Sequence, residues 1–418
     1  MTITAKLRVV HYGWIIVAVG TLVLFSCIGL ARFAYTVLLP KMQVGLDFSY
    51  ERMGYIGTGN FAGYLAAVLL SPALVRRFRP RATIAAGLSL IGVCMLGISC
   101  SRSFAIVFLL YTLAGMGSGF ANIPMMALVT YWFRSEQRGK AAGLVIGGNG
   151  TGIIFVGFLI PLLNCSFGAD GWRYSWLALG LISLLVAVTA ALLLRNNPSD
   201  LGLEPIGRAL PVSSDQLKPR ELRGDGGILL RLGLLYLVFG ATFMVYGTFI
   251  VTTMVKEYGI SEQKAGFYWS WVGFFSLFSG AGFGALSDII GRKRGLVLVF
   301  MVQTVAYLLA GLKLGSTGLI ISIVLYGLAV FAIPAIMAAA VGDYLGLSRA
   351  ATAFATVTIF FAVGQTIGPG VAGLMAGAKG TFTTSYQLAS LLTALAAMFA
   401  AALPAPATAG AEHRRGGS

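Results

Sequence analysis

Charge is scarce in this chain. Asp, Glu, Lys and Arg together make up 11% of it, against about 25% in an average soluble domain. Acidic charge is scarcest, with 14 Asp and Glu against 30 Lys and Arg. The only two histidines, His11 and His413, sit at or beyond the ends of apolar runs. No Asp, Glu or His falls deep in such a run, so a buried carboxylate proton relay has no support. Four cysteines (Cys27, Cys94, Cys100, Cys165) show no metal-ligand spacing, although Cys100 and Cys165 could both lie near one membrane face. Nucleotide-binding motifs are missing, which leaves an ATP-driven pump unsupported. Paired carboxylates, a nucleophile–base set and a metal cluster are missing too, so no enzyme and no cofactor are expected. Strand-like alternation is absent, which argues against an outer-membrane barrel. A cleavable signal pattern is also absent, because the first apolar run is too long for a signal peptide.

What the chain has is apolar length. Hydrophobic residues make up 57% of it, in runs of roughly 20 residues, each enough to cross a bilayer. A lipid-embedded backbone must satisfy its polar groups locally, which leaves helices as the economical solution. The expected spans are 10–39, 51–75, 82–100, 103–132, 141–163, 172–194, 229–256, 265–287, 295–314, 318–345, 350–376 and 383–403. The reading is therefore an all-α membrane protein of twelve transmembrane helices. The net charge of +16 does not form one basic patch, so no nucleic-acid partner is expected. It sorts by loop instead: Arg76, Arg77, Arg79 and Arg81; Arg134, Arg138 and Lys140; Arg292, Lys293 and Arg294. Together with the central segment these fall on one side, which the positive-inside rule makes cytoplasmic, with both termini there and the protein multi-pass in the inner membrane.

Residues 195–228 are rich in Pro, Gly and charge and read as a cytoplasmic linker. It separates an N-terminal six-helix bundle (1–194) from a C-terminal one (229–403). The tail, 404–418, reads as disordered. The halves repeat: Tyr111-Thr-Leu-Ala followed by Phe120-Ala-Asn-Ile-Pro answers Tyr326-Gly-Leu-Ala followed by Phe331-Ala-Ile-Pro. Gly148-Asn-Gly-Thr-Gly152 answers Gly364-Gln-Thr-Ile-Gly368. A duplicated unit marks a rocking carrier with its site between the repeats.

The loop Gly284-Ala-Leu-Ser-Asp288-Ile-Ile-Gly291-Arg292-Lys293 resembles the G-x-L-x-D-x-x-G-R-K motif of the major facilitator superfamily. The resemblance implies two pseudo-symmetric six-helix bundles and a cytoplasmic gate made by Gly284, Asp288, Gly291, Arg292 and Lys293, with Arg77 and Arg138 on the other loops. Asp288 suits pairing with a basic residue or a helix N-terminus. The matching first-half loop, Pro72 to Arg81, departs from the motif: Pro72 and Arg79 replace the glycines, and Arg76 stands where the Asp belongs. Gly29-Leu-Ala-Arg32-Phe-Ala-Tyr35, Gly59-Asn60-Phe-Ala-Gly63-Tyr64 and Gly364-Gln365-Thr-Ile-Gly368-Pro369 resemble the YbfB/YjiJ-type branch. Gly171-Trp172-Arg173 and Asn197-Pro-Ser-Asp-Leu-Gly-Leu203-Glu-Pro are similar to stretches of the superfamily's monocarboxylate and organic anion carriers.

Arg32 is a charge inside a span, and such residues usually face a cavity or a partner. Three readings stand open. It snorkels or pairs helices near the outer interface; it forks a substrate carboxylate; or it forms a gating pair with Asp47 or Glu51. Tyr35, one turn on, shares its face. Asn60, Tyr64, Asn122, Asn149, Tyr246, Trp269 and Gln365 are further polar candidates for binding a solute, and the repeat puts Asn149 and Gln365 in matching places. The expected function is secondary or facilitative transport of a small organic anion, such as a monocarboxylate, by alternating access. The alternatives are an exporter of hydrophobic or cationic compounds and a transporter-like sensor. The expected partners are that solute, the bilayer and a coupling proton, carried on the substrate acid or by a rim carboxylate such as Asp47, Glu51 or Asp343. A monomer contains the whole pathway.

Overall fold

In the computed structural model, residues 11–207, 225–346 and 349–404 are described. The expected disordered tail beyond Pro404, the middle half of the linker (208–224) and the N-terminal residues 1–10 lie outside them. Ten apolar helical stretches are long enough to span a membrane. Two of them each hold two helices, broken at Arg79 and at 168–170, so 10 + 2 gives the twelve expected. We number them α1 (Tyr12–Leu46), α2 (50–78), α3 (80–100), α4 (Phe104–Trp132), α5 (Ser135–Phe167), α6 (Gly171–Leu193), α7 (Asp225–Lys256), α8 (Glu262–Ile290), α9 (Arg292–Gly311), α10 (Gly315–Leu345), α11 (Ala350–Lys379) and α12 (Thr383–Ala401). The only bridge among the described residues is an isolated one, Phe133 with Ile206. It docks the start of the linker on the α4–α5 turn, where Arg134 also pairs with Glu204 at 2.9 Å.

The sequence repeat becomes a packing repeat. A Cβ on Gly148 would lie 2.2 Å from the Thr21 carbonyl of α1, and one on Gly364 would lie 2.1 Å from the Leu237 carbonyl of α7. Gly152 and Gly368 touch the same two helices one turn further on. Without a hydrophobic force between helices in lipid, such backbone contact is what holds them. Gly29 and Gly152 are mutually closest, each added Cβ meeting the other's Cα at 2.6 Å. Gly29→Val is therefore expected to cost about 1–3 kcal/mol by overpacking, read as a lower unfolding temperature in detergent.

The two motif loops share a backbone shape that their sequences do not. Gly291, between α8 and α9, has φ 92° and ψ 146°; Arg79, at the matching place between α2 and α3, has φ 64° and ψ 159°. That region is nearly reserved for glycine. The first-half loop thus keeps the turn while holding an arginine in it. Arg79→Gly is expected to raise stability by about 1 kcal/mol through relief of that strain, seen as an upward shift in melting temperature. Cys100 and Cys165 are both exposed free thiols.

The helices alternate in direction, which gives the bundle one end bearing Asp47 and Lys379 and another bearing Arg77 and Lys293. The halves meet closely at the Asp47 end. A Cβ on Gly54 (α2) would lie 2.6 Å from the Pro369 carbonyl of α11, and one on Gly373 would lie 2.9 Å from the Cα of Gly54. The seam between α5 and α8 is likewise tight from Pro161–Gly266 to Gly150–Gly273. It loosens toward the Arg77 end: Gly147 meets only Leu277 at 3.9 Å, and Gly143, Gly139 and Gly282 meet nothing within 4 Å.

Candidate functional site

The site is built on a local irregularity of α1. Residues Phe25–Phe33 form a π-helical segment inside the helix, a feature frequent at functional positions. It ends on two side chains that point to different partners. Phe33 packs on the second half, with ring centroids 6.2 Å from Trp269, 6.4 Å from Phe243 and 6.4 Å from Phe331. Arg32 turns instead toward α2 and α11. Its guanidinium carbon lies 4.5 Å from the Tyr64 ring centroid and 4.9 Å from that of Phe61. Two aromatic faces of α2 thus cradle the cation.

Arg32 makes one side-chain hydrogen bond: Nη1 donates to Gln365 Oε1 at 3.4 Å. Its Nε and Nη2 are buried and without a partner, as is Gln365 Nε2. Nε and Nη2 form one edge of the guanidinium plane, the edge that presents two parallel N–H donors to a carboxylate. Leaving such donors unmet costs about 1–3 kcal/mol, more for a charged group. The snorkelling reading is corrected, because the head group is buried beneath the α2 rings. Pairing with Asp47 or Glu51 is corrected too. Asp47 is the left-handed cap of α1, and Glu51 packs against the position of Gly377. With α1 extending to Leu46, Arg32 stands 20 residues from one end and 14 from the other.

Other expected site residues gather around it unevenly. Tyr64 accepts a bond from Asn122 Nδ2 at 2.9 Å, which links α2 to α4. Asn60 donates to the Tyr111 carbonyl at 2.9 Å and keeps an unpartnered Oδ1. Tyr111 in turn donates to the Arg32 carbonyl at 3.3 Å. Tyr35 lies beside the same cavity as Arg32, but its hydroxyl is spent on the Met53 carbonyl at 2.9 Å. Asn149 and Trp269 each have an unpartnered polar atom, Oδ1 and Nε1; Trp269 reaches the site only through Phe33. Tyr246 is not brought to Arg32. It bonds Ser322 at 2.8 Å and stacks on Tyr326 in the interior of the second half.

On the Asp47 side of Arg32 lies a cavity of about 10 Å³ lined by Phe33, Thr36, Gly57, Met244 and Thr248 among others, room for about one water. Beyond it the halves are bolted. Thr36 donates to the Gly247 carbonyl, and Thr58 donates to the Thr366 carbonyl at 2.8 Å. Further out, Glu262 of α8 takes a bond from Asn164 of α5 at 2.8 Å and lies 3.8 Å from Lys41 of α1. Sequence reading missed Thr36, Thr58, Lys41, Asn164 and Glu262. Threonines inside helices usually bond their own backbone, and charges at helix ends read as solvated. Glu257 was missed as well: its carboxylate is buried and ties Lys313, Thr381 and the Phe382 N–H together at the Asp47 end.

At the other end the motif loop closes on its own half. Arg292 pairs with Asp288, with Asp343 of α10 at 2.8 Å and with Ser287 at 2.7 Å. Gly291 supplies the turn, whereas a Cβ at Gly284 would meet only the Ala335 Cβ of α10 at 4.0 Å, an ordinary contact. Lys293 is half-buried and follows Arg292 on α9; Arg77 is exposed; Arg138 donates to the Phe133 carbonyl at 3.4 Å. Arg292→Gln is expected to lower stability by about 1–2 kcal/mol, discounted because Asp288 and Asp343 are partly solvated, measured by thermal unfolding.

These features define a multi-pass membrane transporter of major facilitator architecture. The chain belongs to the family described as uncharacterised MFS-type transporter YbfB, whose model matches residues 24–404. It is 24% identical over 415 residues to human monocarboxylate transporter 2, covering 93% of this chain and 84% of that one. It is 26% identical over 399 residues to rat monocarboxylate transporter 4, covering 90% and 80%. Among solved structures, a D-xylose–proton symporter matches with a TM-score of 0.74 at 16% identity, over 95% of this chain and 98% of that one. A bacterial homologue of the human lysosomal transporter Spinster, inward-facing and unoccupied, matches with a TM-score of 0.72 at 16% identity, over 94% and 96%. The relatives and the fold are those of transporters, not enzymes.

Proposed function

We propose that this protein moves a small organic anion, monocarboxylate in class, across the cytoplasmic membrane by alternating access. The observation that carries the reading is the Nε–Nη2 edge of Arg32. It is a two-donor fork with no protein partner among the described residues, near the middle of α1 and facing α11 of the other half. A carboxylate fits that fork with two parallel bonds. The cation has no carboxylate partner among the described residues, so the site favours one negative charge. The names of the monocarboxylate transporters among its relatives support the same class. The aromatic surround would also suit an exported lipophilic cation, but Arg32 opposes a second positive charge.

In this reading residues 1–194 and 229–403 are the two bundles, joined by the linker 195–228, and the Arg77 end is cytoplasmic because basic loops gather there. The bolts at the Asp47 end then close the outer side. The gate at Gly284–Lys293 acts with Arg77 and Arg138, one monomer suffices, and a coupling proton rides on the acid or on a rim carboxylate. The test is thermal stabilisation of the purified protein by small acids, amines and neutral solutes, followed by uptake into vesicles. Ligand that favours the folded state raises stability by about 2.7 kcal/mol at a hundred times its Kd. Stabilisation by carboxylates with uptake is the expected result. Stabilisation by lipophilic cations alone overturns the reading, and binding without flux makes the protein a sensor.

A further inference from the structure

Arg32 and Gln365 come from opposite halves, α1 and α11, and are joined by a single hydrogen bond. Gln365 is fully buried. It meets the guanidinium with a neutral oxygen at Nη1, the nitrogen outside the Nε–Nη2 edge. A carboxylate at that position would cancel the charge, whereas an apolar side chain would leave the planar head free to rotate over the Tyr64 and Phe61 rings. The ionisable groups around Arg32 are Cys27 and Tyr35 on α1, Tyr64 on α2 and Tyr111 on α4, with Tyr236 on α7 beside Tyr64. All are ordinarily uncharged at neutral pH, so none of them orients the cation as an ion pair would.

Resting on the reading of Arg32 as the anion anchor, we infer that Gln365 is the positioning residue that aims the Nε–Nη2 fork and leaves its charge unneutralised. Its place on α11 has a consequence. The fork is held in line only while α1 and α11 are together, so the grip on the anion depends on the arrangement of the two halves. Parting α1 from α11 releases both the glutamine and the aim, and affinity falls as the pathway opens at the other end.

The test is a double-mutant cycle on the full chain, in which coupling between two residues shows as non-additive losses. The probes are short monocarboxylates from acetate to hexanoate, together with pyruvate, and the readout is equilibrium binding. Gln365→Leu is expected to weaken binding of the best probe ~10-fold in the otherwise wild-type chain, as lost orientation of a bidentate pair would. In the Arg32→Lys chain, which has a point charge and no fork to aim, the same change is expected to alter binding by less than about twofold. Gln365→Glu is expected to abolish binding while raising the melting temperature, since it pairs the buried cation. If Gln365→Leu does not fold, Gln365→Asn, too short to reach Nη1, takes its place in the cycle. An equal loss in both backgrounds, or no loss in either, overturns the positioning role and leaves Arg32 as anchor. Failure of every probe to bind, or equal binding by Arg32→Gln and wild type, overturns the anchor and this inference together.

Discussion

Arg32→Gln is expected to abolish carboxylate-dependent stabilisation and uptake while leaving the protein folded. Truncating one member of a buried charged pair in a complex costs about 2–5 kcal/mol, which corresponds to roughly 30-fold to several-thousand-fold in affinity. Arg32→Lys keeps the charge and loses the fork, so it retains part of the binding. Stability moves the opposite way. In the absence of ligand, Nε and Nη2 are buried donors with no partner, and such groups are a cost to the folded state. Arg32→Leu, which replaces them with hydrocarbon among Phe61, Phe33 and Met244, is therefore expected to raise the melting temperature while eliminating binding. A purely structural arginine would give the reverse pattern, lower stability with ligand response intact. Thermal unfolding with and without a bound carboxylate distinguishes the two.

Gly54→Leu is the second large effect. Gly54 and Gly373 let α2 and α11 touch backbone to backbone at the Asp47 end. A leucine there has no room: an added Cβ already lies 2.6 Å from the Pro369 carbonyl and 3.0 Å from the Gly373 Cα. The halves can relieve the clash by parting at that end, which also breaks the Thr36–Gly247 and Thr58–Thr366 bonds. A shift of 1.4 kcal/mol changes the ratio of two states about tenfold, and a backbone clash supplies more than that. The expected result is loss of transport with the protein held open on the Asp47 side. The check is a cysteine introduced by Thr248→Cys, which lines the cavity beside Arg32, in a chain whose exposed Cys100 and Cys165 are replaced by serine. Its labelling by a membrane-impermeant maleimide from that side is expected to quicken at least ~10-fold when Gly54→Leu is added. Unchanged labelling together with unchanged transport would show that the α2–α11 contact is not part of the moving seam.

Much of this molecule is legible in its sequence. Hydrophobic length set the number of spans, because a helix that crosses lipid must have about 20 apolar residues. The glycine repeat at Gly148 and Gly364 marked the two halves, and the structure turns each into the same backbone contact. Boundaries were less accurate. The expected first span stopped at Leu39, whereas α1 continues through Pro40 to Leu46, since a proline inside a membrane helix is tolerated when neighbours satisfy the freed groups. The first-half loop looked broken at Arg79, yet it folds as its glycine-bearing counterpart does.

The sequence by itself determined class, span count, repeat and a cation placed within a span, since each of these is written in composition or in spacing along a single helix. Only the tertiary structure decided what that cation does with its donors. The partner of Arg32 is Gln365, 333 residues away, and the edge left over follows from where α2 and α11 pass α1. The bolts at the Asp47 end belong to the same category. Thr36, Thr58, Lys41 and Glu262 carry no signal alone, and they become a closure because packing brings helices from the two halves to within hydrogen-bond reach. Periodicity reports which side of one helix is apolar; it does not report which other helix that side will meet.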